Sequence, residues 1–455
     1  VKLFGPAPWH FHLLNVIAHL ASCALVFLIG MRLRLTTVGA TCAMLLFGLH
    51  PVGAEPVAWI TGRKDVLATF LGLSTLLLAW SPTTRARRTA ALLSYVLGLL
   101  AKPAIAPVCV LVAIAHAWFG RDAVERGGAA VESTESSDAR DSTRTRVIRA
   151  LRVSLPYFAV LAPVVVLGLI GQHAAGALSD PERAGASFAR ATWYAFGHHL
   201  RLLLGLEEPT AKYLPLPWPP GFTPMVDLMP LMAAGAAGLV VFVLPPIQRR
   251  VFGFGLLWAG LTYLPSSNLI PLVRYLADSY VYLPLVGAAW CAGAIADALT
   301  LYSARTARVL RYALPLLIAV ACIPPYLSSQ ARFADDRALW AHALKRYPYN
   351  PRVCRQWANG VAKVRGDEPG LRATDRCLEI FGDELFAKNK GVLLGRLGRY
   401  DEARQWLERA RQRHPSDPGL LSALANLIWL MQHEASQPGP RSHPPTESGE
   451  NSPQP

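Results

Sequence analysis

Charged residues are scarce, making up 16% of the 455 residues, whereas a soluble domain carries about 25%. With 52% hydrophobic residues and a mean hydropathy of +0.29, that shortage excludes disorder for most of the chain. It also argues against one soluble core, because the apolar residues come in long runs. Metal-type cysteine spacing is missing too: the seven cysteines include no CxxC pair. Cys23, Cys42, Cys109, Cys291 and Cys322 lie inside apolar runs and read as small hydrophobes. Acidic residues are few, 30 against 45 basic, for a net charge of +15. On a soluble protein that excess would suggest nucleic acid. Here it reads as the basic cytoplasmic loops of a polytopic membrane protein, with no nucleic-acid partner. The first residues lack a charged start, a short apolar core and a cleavage site, so no signal peptide is read. The chain starts at Val1 and reads as beginning partway into a longer protein.

Ten apolar segments are present, at 11–30, 36–49, 66–80, 89–101, 103–119, 153–171, 226–244, 251–265, 282–299 and 312–328. Several fall short of the ~20 residues of a perpendicular span, so their ends are expected to extend. Arg32, Arg34, Arg85, Arg87, Arg88, Arg249, Arg250, Arg305, Arg308 and Arg311 then mark the cytoplasmic side. Residues 89–119 are read as two helices broken at Lys102-Pro103. One long helix would move the later basic loops outside. Lys102 then sits at the outer face, and both chain ends lie outside. The serine-rich stretch 120–150 reads as a mobile cytoplasmic loop.

Near residue 330 the apolar runs stop. From Glu384 a 34-residue window places Gly391, Leu394, Gly398, Tyr400, Ala403, Leu407, Ala410 and Pro415 as a tetratricopeptide repeat requires. A degenerate repeat precedes it at about 350–383, and a further helix follows at 418–433. The fold class is therefore all-α: a bundle of about ten spans over 1–329, a helical solenoid over 330–433, and a disordered proline-rich tail over 434–455. Within the degenerate repeat, Cys354 and Cys377 lie twelve and eleven residues either side of Gly366. They read either as a disulfide between facing helices or as two buried cysteines.

Two stretches carry candidate chemistry. Residues 50–65 place His50, Glu55, Arg63, Lys64 and Asp65 at the membrane boundary, where ionisable groups need partners or a cavity. They read either as a pocket for an anionic lipid head group, with Arg63 and Lys64 on phosphate, or as an interfacial loop with snorkelling charges. Residues 266–284 add Arg274, Asp278, Tyr280 and Tyr282, which could equally be a salt bridge and interfacial anchors. On the first span, His12, Asn15 and His19 share one face. That face looks at protein, and a metal site there lacks a nearby acidic ligand.

The strings HFHLLNVIAHL, LLFGLHPVGAEPVAWITGRKDVLATF, LLAKPAIAPVCVL and SNLIPLVRYLADSYVYLPLVG, followed by tetratricopeptide repeats, together resemble one family. It is the membrane O-mannosyltransferases with C-terminal tetratricopeptide repeats, including bacterial relatives, within the polytopic transferases that use lipid-phosphate sugars. The resemblance covers about 1–430. It implies an enzyme that moves a mannose-like sugar from a polyprenyl-phosphate donor to a protein hydroxyl at the outer face of an inner or plasma membrane. The repeats would lie on that non-cytoplasmic side and hold the acceptor protein. It further implies a chain short of its first span and first outer loop, where the main catalytic carboxylate is expected. Glu55 and Asp65 would be supporting carboxylates, and His50, Arg63, Lys64, Lys102, Arg274, Asp278, Tyr280 and Tyr282 would bind substrate. No cofactor or metal is required, since the cations can neutralise the leaving phosphate. The sequence departs from the family at Gly53, where relatives often have histidine, and at Ser279, where they often have arginine. The alternatives are a non-catalytic membrane-anchored scaffold for envelope assembly, or a lipid-linked glycan ligase or polymerase.

Overall fold

The computed structural model describes residues 8–80, 84–119, 143–174, 185–210, 221–269, 272, 275–301, 304–382 and 386–435. The expected loop 120–150, for the most part, and the tail from 436 lie outside the described residues, as does Arg274. The chain folds as two units, Val1–Asn350 and Pro351–Pro455.

The first unit is helical, with no strand among its described residues. Its helices are α1 (Pro8–Arg32), α2 (Thr37–Leu49), α3 (Ala54–Ala58), α4 (Arg63–Ala79), α5 (Arg85–Ala101), α6 (Val108–Phe119) and α7 (Thr143–Ala174). They continue as α8 (Gly185–Leu203), α9 (Pro224–Asp227), α10 (Met229–Val243), α11 (Pro246–Tyr263), α12 (Tyr282–Thr300), α13 (Ala304–Ala331) and α14 (Asp336–Arg346). Each of the ten apolar segments coincides with a helix. Five helices are by themselves long and apolar enough to cross a membrane: Trp9–Arg32, Val147–Gly168, Pro224–Val243, Tyr282–Thr300 and Ala307–Ala331. A sixth is added if Thr37–Leu49 and Pro51–Ala58, bent by 48°, form one span. The chain is a membrane protein. Exposed Leu167 on α7, Phe242 on α10 and Leu316 on α13 are apolar surface that lipid can cover.

Local sequence explains the breaks. Lys102 is extended (φ −159°, ψ 123°) because Pro103 excludes the helical region for its predecessor, so α5 ends there and α6 starts after a short 3-10 turn. Thr36 and Thr84 cap α2 and α5 through their side chains. Asp297, buried on α12, adds carboxylate bonds to Thr36 N (2.7 Å) and Gly39 N (2.9 Å), filling the free donors at the start of α2.

The core sits where α2 and α11 cross α12. A Cβ on Gly287 would lie 2.2 Å from the Gly255 carbonyl, so α11 and α12 touch backbone to backbone. Above the crossing, Trp258 and Trp290 meet edge to face at 5.1 Å. Their indole N–H groups donate to the Leu283 and Val26 carbonyls, each at 3.0 Å, so burial leaves neither donor unmatched.

The second unit stacks α15 (Pro351–Arg365), α16 (Asp367–Phe381), α17 (Ala387–Arg396), α18 (Tyr400–Arg413) and α19 (Pro418–Ala435). Gly366 turns α15 into α16 with φ +97°, a conformation that disfavours any side chain. Gly391, at the small-residue position, lets α17 close onto Leu407 of α18. Cys354 and Cys377 are bridged, with Cα atoms 5.9 Å apart.

Candidate functional site

Three connections gather at one end of the first unit: 50–62, 102–107 and the described residues of the stretch between α11 and α12, 264–269 and 275–281. Here the Asp65 carboxylate pairs with Lys102 Nζ; Asp65 is 4% exposed and Lys102 18%. Asp65 faces Lys102 because the first turn of α4 points its three consecutive ionisable side chains in different directions, about 100° apart. Lys64 is exposed. Arg63 turns the other way and lies over the Phe11 ring at 4.7 Å.

A small cavity of about 10 Å³, room for about one water, lies beside this pair. Asp65, Thr69, Lys102, Thr262, Ser266, Ser279, Tyr280 and Tyr282 contribute to its lining. Lys102 Nζ also sits 5.5 Å from the Tyr280 ring centroid, so an acidic and an aromatic side chain hold the cation in place. Glu55 does not line the cavity. Its Oε2 accepts the Ser279 N–H at 3.1 Å, which ties α3 to the cavity wall. Asp278, next to Ser279, is fully buried. Sequence reasoning missed Thr69, Thr262 and Ser266 as cavity wall, and singled out Ser279 only as a departure from the family. A hydroxyl residue in an apolar run gives no local sign of what it faces.

Tyr282 is aimed by a residue from the first span. His19 Nε2 lies 3.1 Å from the Gly48 carbonyl, which can only accept, so this nitrogen carries the proton. Nδ1 is then the acceptor, and the Tyr282 hydroxyl donates to it at 2.6 Å. Asn15, one turn earlier, donates to the carbonyls of Val57 and Trp59, both at 3.2 Å. The shared face of Asn15 and His19 thus binds protein polar groups. No cluster of His, Cys, Asp and Glu suited to a metal occurs among the described residues. Gly53 leaves room here: a Cβ would sit 3.9 Å from His19, Tyr282 and Tyr326, in ordinary contact.

His50 closes the far side of this end. Its Nδ1 accepts the Val52 N–H at 3.3 Å, and the Leu203 carbonyl takes its other ring nitrogen. Burial lowers its pKa to about 4, so it is neutral and joins the 50–53 turn to α8. His199 on α8, which sequence reasoning did not single out, does the same work. It accepts from Ala277 N at 3.4 Å and donates to the Tyr263 hydroxyl at 2.9 Å, and burial lowers its pKa to about 3.

Beyond the turn after α11 lies a second, larger cavity of about 710 Å³. Its lining is almost wholly apolar, with Trp193 and Phe196 from α8 facing Leu257 and Leu261 from α11. The two cavities share a wall: Thr262 and Ser266 face the Lys102 side, Tyr263 and Ser267 the apolar side.

Of the arginines expected on the cytoplasmic side, Arg87 lies at the opposite end. Arg87 bonds back to the Leu77 and Leu78 carbonyls at the far end of α4 from Asp65, both at 3.1 Å. After α13, the chain returns to the end that carries the pair, where Arg332 donates to the Pro209 carbonyl at 2.8 Å. There α14 is tied to the loop after α8, through Arg346 on Glu207 and His342 near Glu208.

The family model described as a tetratricopeptide repeat covers 389–427. Residues 389–427 are a tetratricopeptide repeat. The similarity to curated relatives is local. The chain is 38% identical over 73 residues to protein O-mannosyl-transferase Tmtc2 of Drosophila melanogaster, covering 16% of this chain and 8% of the relative. Against mouse protein O-mannosyl-transferase TMTC1 it is 41% identical over 74 residues, 16% of this chain and 8% of the relative. Against human TMTC3 it is 36% identical over 70 residues, 15% and 8%. The matched stretch thus spans about a twelfth of these relatives' length. No solved structure matches the chain.

Proposed function

We propose that this chain works as a membrane glycosyltransferase that moves a mannose-like sugar from a polyprenyl-phosphate donor to a protein hydroxyl. The observation that carries the proposal is the Asp65–Lys102 pair beside a hydroxyl-lined cavity, one wall away from a 710 Å³ apolar cavity. A phosphate on Lys102 and a prenyl chain between α8 and α11 would use both chemistries in one molecule. The names of the relatives support the same reading. Lys102 meets the leaving phosphate and offsets its charge. Asp65 positions Lys102. Glu55 holds Ser279 in the wall, and Tyr280 and Tyr282 border the sugar. The acceptor hydroxyl attacks the anomeric carbon, a carboxylate takes its proton, and the lipid phosphate leaves. The cavity as folded has room for about one water, so donor binding must widen it.

The repeats bind the acceptor protein on the non-cytoplasmic side. Two features support that side. The chain leaves α13 at the end that carries the pair, and a disulfide in the repeats suits an oxidising compartment.

The test is transfer of labelled mannose from polyprenyl-phosphate mannose to acceptor peptides by the full-length protein in lipid nanodiscs. Lys102→Gln should lower transfer about a hundredfold. The double variant Asp65→Asn/Lys102→Gln, which leaves no unpaired buried charge, checks the fold. Unchanged transfer in a folded Lys102→Gln protein, or no transfer by the wild type, would overturn the proposal. A non-catalytic scaffold is the second reading, and the small size of the polar cavity favours it.

A further inference from the structure

A third cavity, of about 200 Å³, lies at the same end of the first unit. It shares no described lining residue with the other two. Pro51 and Val52 form one wall, and their turn packs against 278–280, whose Ser279 and Tyr280 line the Lys102 cavity. The other walls come from the end of α8, the loop after it and the end of α13. Local chemistry fixes these walls. Gly205, at φ +69°, ends α8, and the Leu206 N–H returns to the Arg201 carbonyl at 2.8 Å. The Arg201 side chain donates to the Leu206 carbonyl and to Glu207, each at 3.1 Å. On the α13 side, Arg332 donates to the Pro209 carbonyl at 2.8 Å and to Ser328 Oγ at 3.3 Å. The cavity is therefore preorganised, which lowers the cost of binding.

Polar groups are left over inside it. Ser329, in the lining, is 1% exposed, and its hydroxyl makes no hydrogen bond among the described residues. A buried hydroxyl without a partner is costly, which favours a ligand that bonds to it. Glu208, with its side chain 65% exposed at the mouth, turns Oε2 to Arg332 (3.5 Å) and His342 (3.4 Å). Its Oε1 makes no hydrogen bond among the described residues. Each carboxylate in the wall already has an arginine: Glu208 has Arg332, and Glu207 has Arg201 and Arg346. A phosphate would meet both carboxylates, and an ammonium would meet Arg332, so charge of either sign is disfavoured. A neutral ligand with several groups that both donate and accept fits, which is the pattern of sugar hydroxyls. Pro51 and Pro325 give apolar wall for the C–H face of a ring. The volume is that of about seven liquid waters, room for one monosaccharide and less than a drug-sized ligand needs. We propose that this cavity binds a neutral hexose through Ser329, Glu208 and Arg332, as a sugar site separate from the Lys102 cavity. The Ser329 hydroxyl and the open Glu208 oxygen bond to the hexose hydroxyls, and the ring lies between the two prolines.

The experiment is saturation-transfer NMR with methyl α-mannopyranoside on the full-length protein in lipid nanodiscs. Binding is read without turnover, so a wild type that transfers no sugar bears on the transferase reading alone. The wild type should saturate the ring protons with a Kd on the order of 1 mM, ordinary for so small a ligand. Ser329→Leu, which fills the cavity, should abolish the signal. Glu208→Gln changes an exposed side chain that folding tolerates, and it should raise the Kd about tenfold. The Asp65→Asn/Lys102→Gln variant should bind as the wild type does, because its changes lie in the other cavity. The proposal is overturned if the wild type shows no saturation, or if Ser329→Leu and Glu208→Gln bind as the wild type does. It is also overturned if Asp65→Asn/Lys102→Gln loses binding, which would put the sugar in the transfer cavity. Displacement of the mannoside by an equal concentration of choline or glycerol phosphate would overturn it too, by making the cavity a site for an ion.

Discussion

At the scale of single residues, buried histidines make this end of the protein sensitive to acid. His50 and His199 sit outside the spans, and burial lowers their pKa values to about 4 and about 3. Each is neutral when folded and takes up a proton when unfolded below its ordinary value of 6.5. Their contribution to stability is therefore present above pH 6.5 and falls away as the pH drops towards 4, by on the order of 3 kcal/mol per histidine. Melting of the detergent-solubilised protein should fall over that range, and His50→Asn should flatten the slope. An equal slope in His50→Asn would refute this. Lys102 belongs to the same scale. Removing it leaves Asp65 charged and buried, a loss of about 3–5 kcal/mol. Lys102→Gln should thus be less stable than the Asp65→Asn/Lys102→Gln double variant, as read by melting temperature.

At the scale of elements, helix crossings and turns set the tolerances. The backbone contact between Gly255 and Gly287 leaves no room for a side chain. Gly287→Leu should separate α11 from α12 and prevent recovery of folded protein in detergent; recovery at the wild-type level would show that the crossing can relax. In the repeats, the disulfide closes a loop with a sequence separation of 23. Loop-closure entropy assigns such a bridge about 3 kcal/mol. Cys354→Ser should lower the melting temperature of the repeat unit, and it should leave Cys377 open to alkylation only on unfolding, because that residue is fully buried.

At the scale of the whole molecule, the alternation of basic and balanced loops predicts sidedness. The structure puts Arg87 and the Asp65–Lys102 pair at opposite ends of α4. Single cysteines introduced at exposed Lys64 and exposed Arg85 should therefore label from opposite sides of intact vesicles with a membrane-impermeant maleimide. Labelling of both from one side would refute the topology. The ten segments were legible in the sequence because each is an apolar run, and the break at Lys102 because Pro103 enforces it. The repeat was legible because small and large residues recur at fixed spacing. The candidate site was legible in part. Residues 50–65 and Lys102 stood out as ionisable groups at a membrane boundary. Which of them share a cavity did not, because Arg63, Lys64 and Asp65 are neighbours in sequence and point apart in space.

The sequence by itself determined the helical class, the positions of the ten apolar helices, the repeat and the chance of a Cys354–Cys377 bridge. These follow from local patterns: apolar length, proline and glycine, and equal spacing about a turn. Only the tertiary structure decided that Asp65 takes Lys102, that His19 aims Tyr282 and that Asp297 caps α2. These partners lie 37, 263 and 258 residues apart. A polar group in an apolar run must find a partner, but the run does not say which one. That choice is made when the helices pack and the low-dielectric interior makes an unmatched group costly.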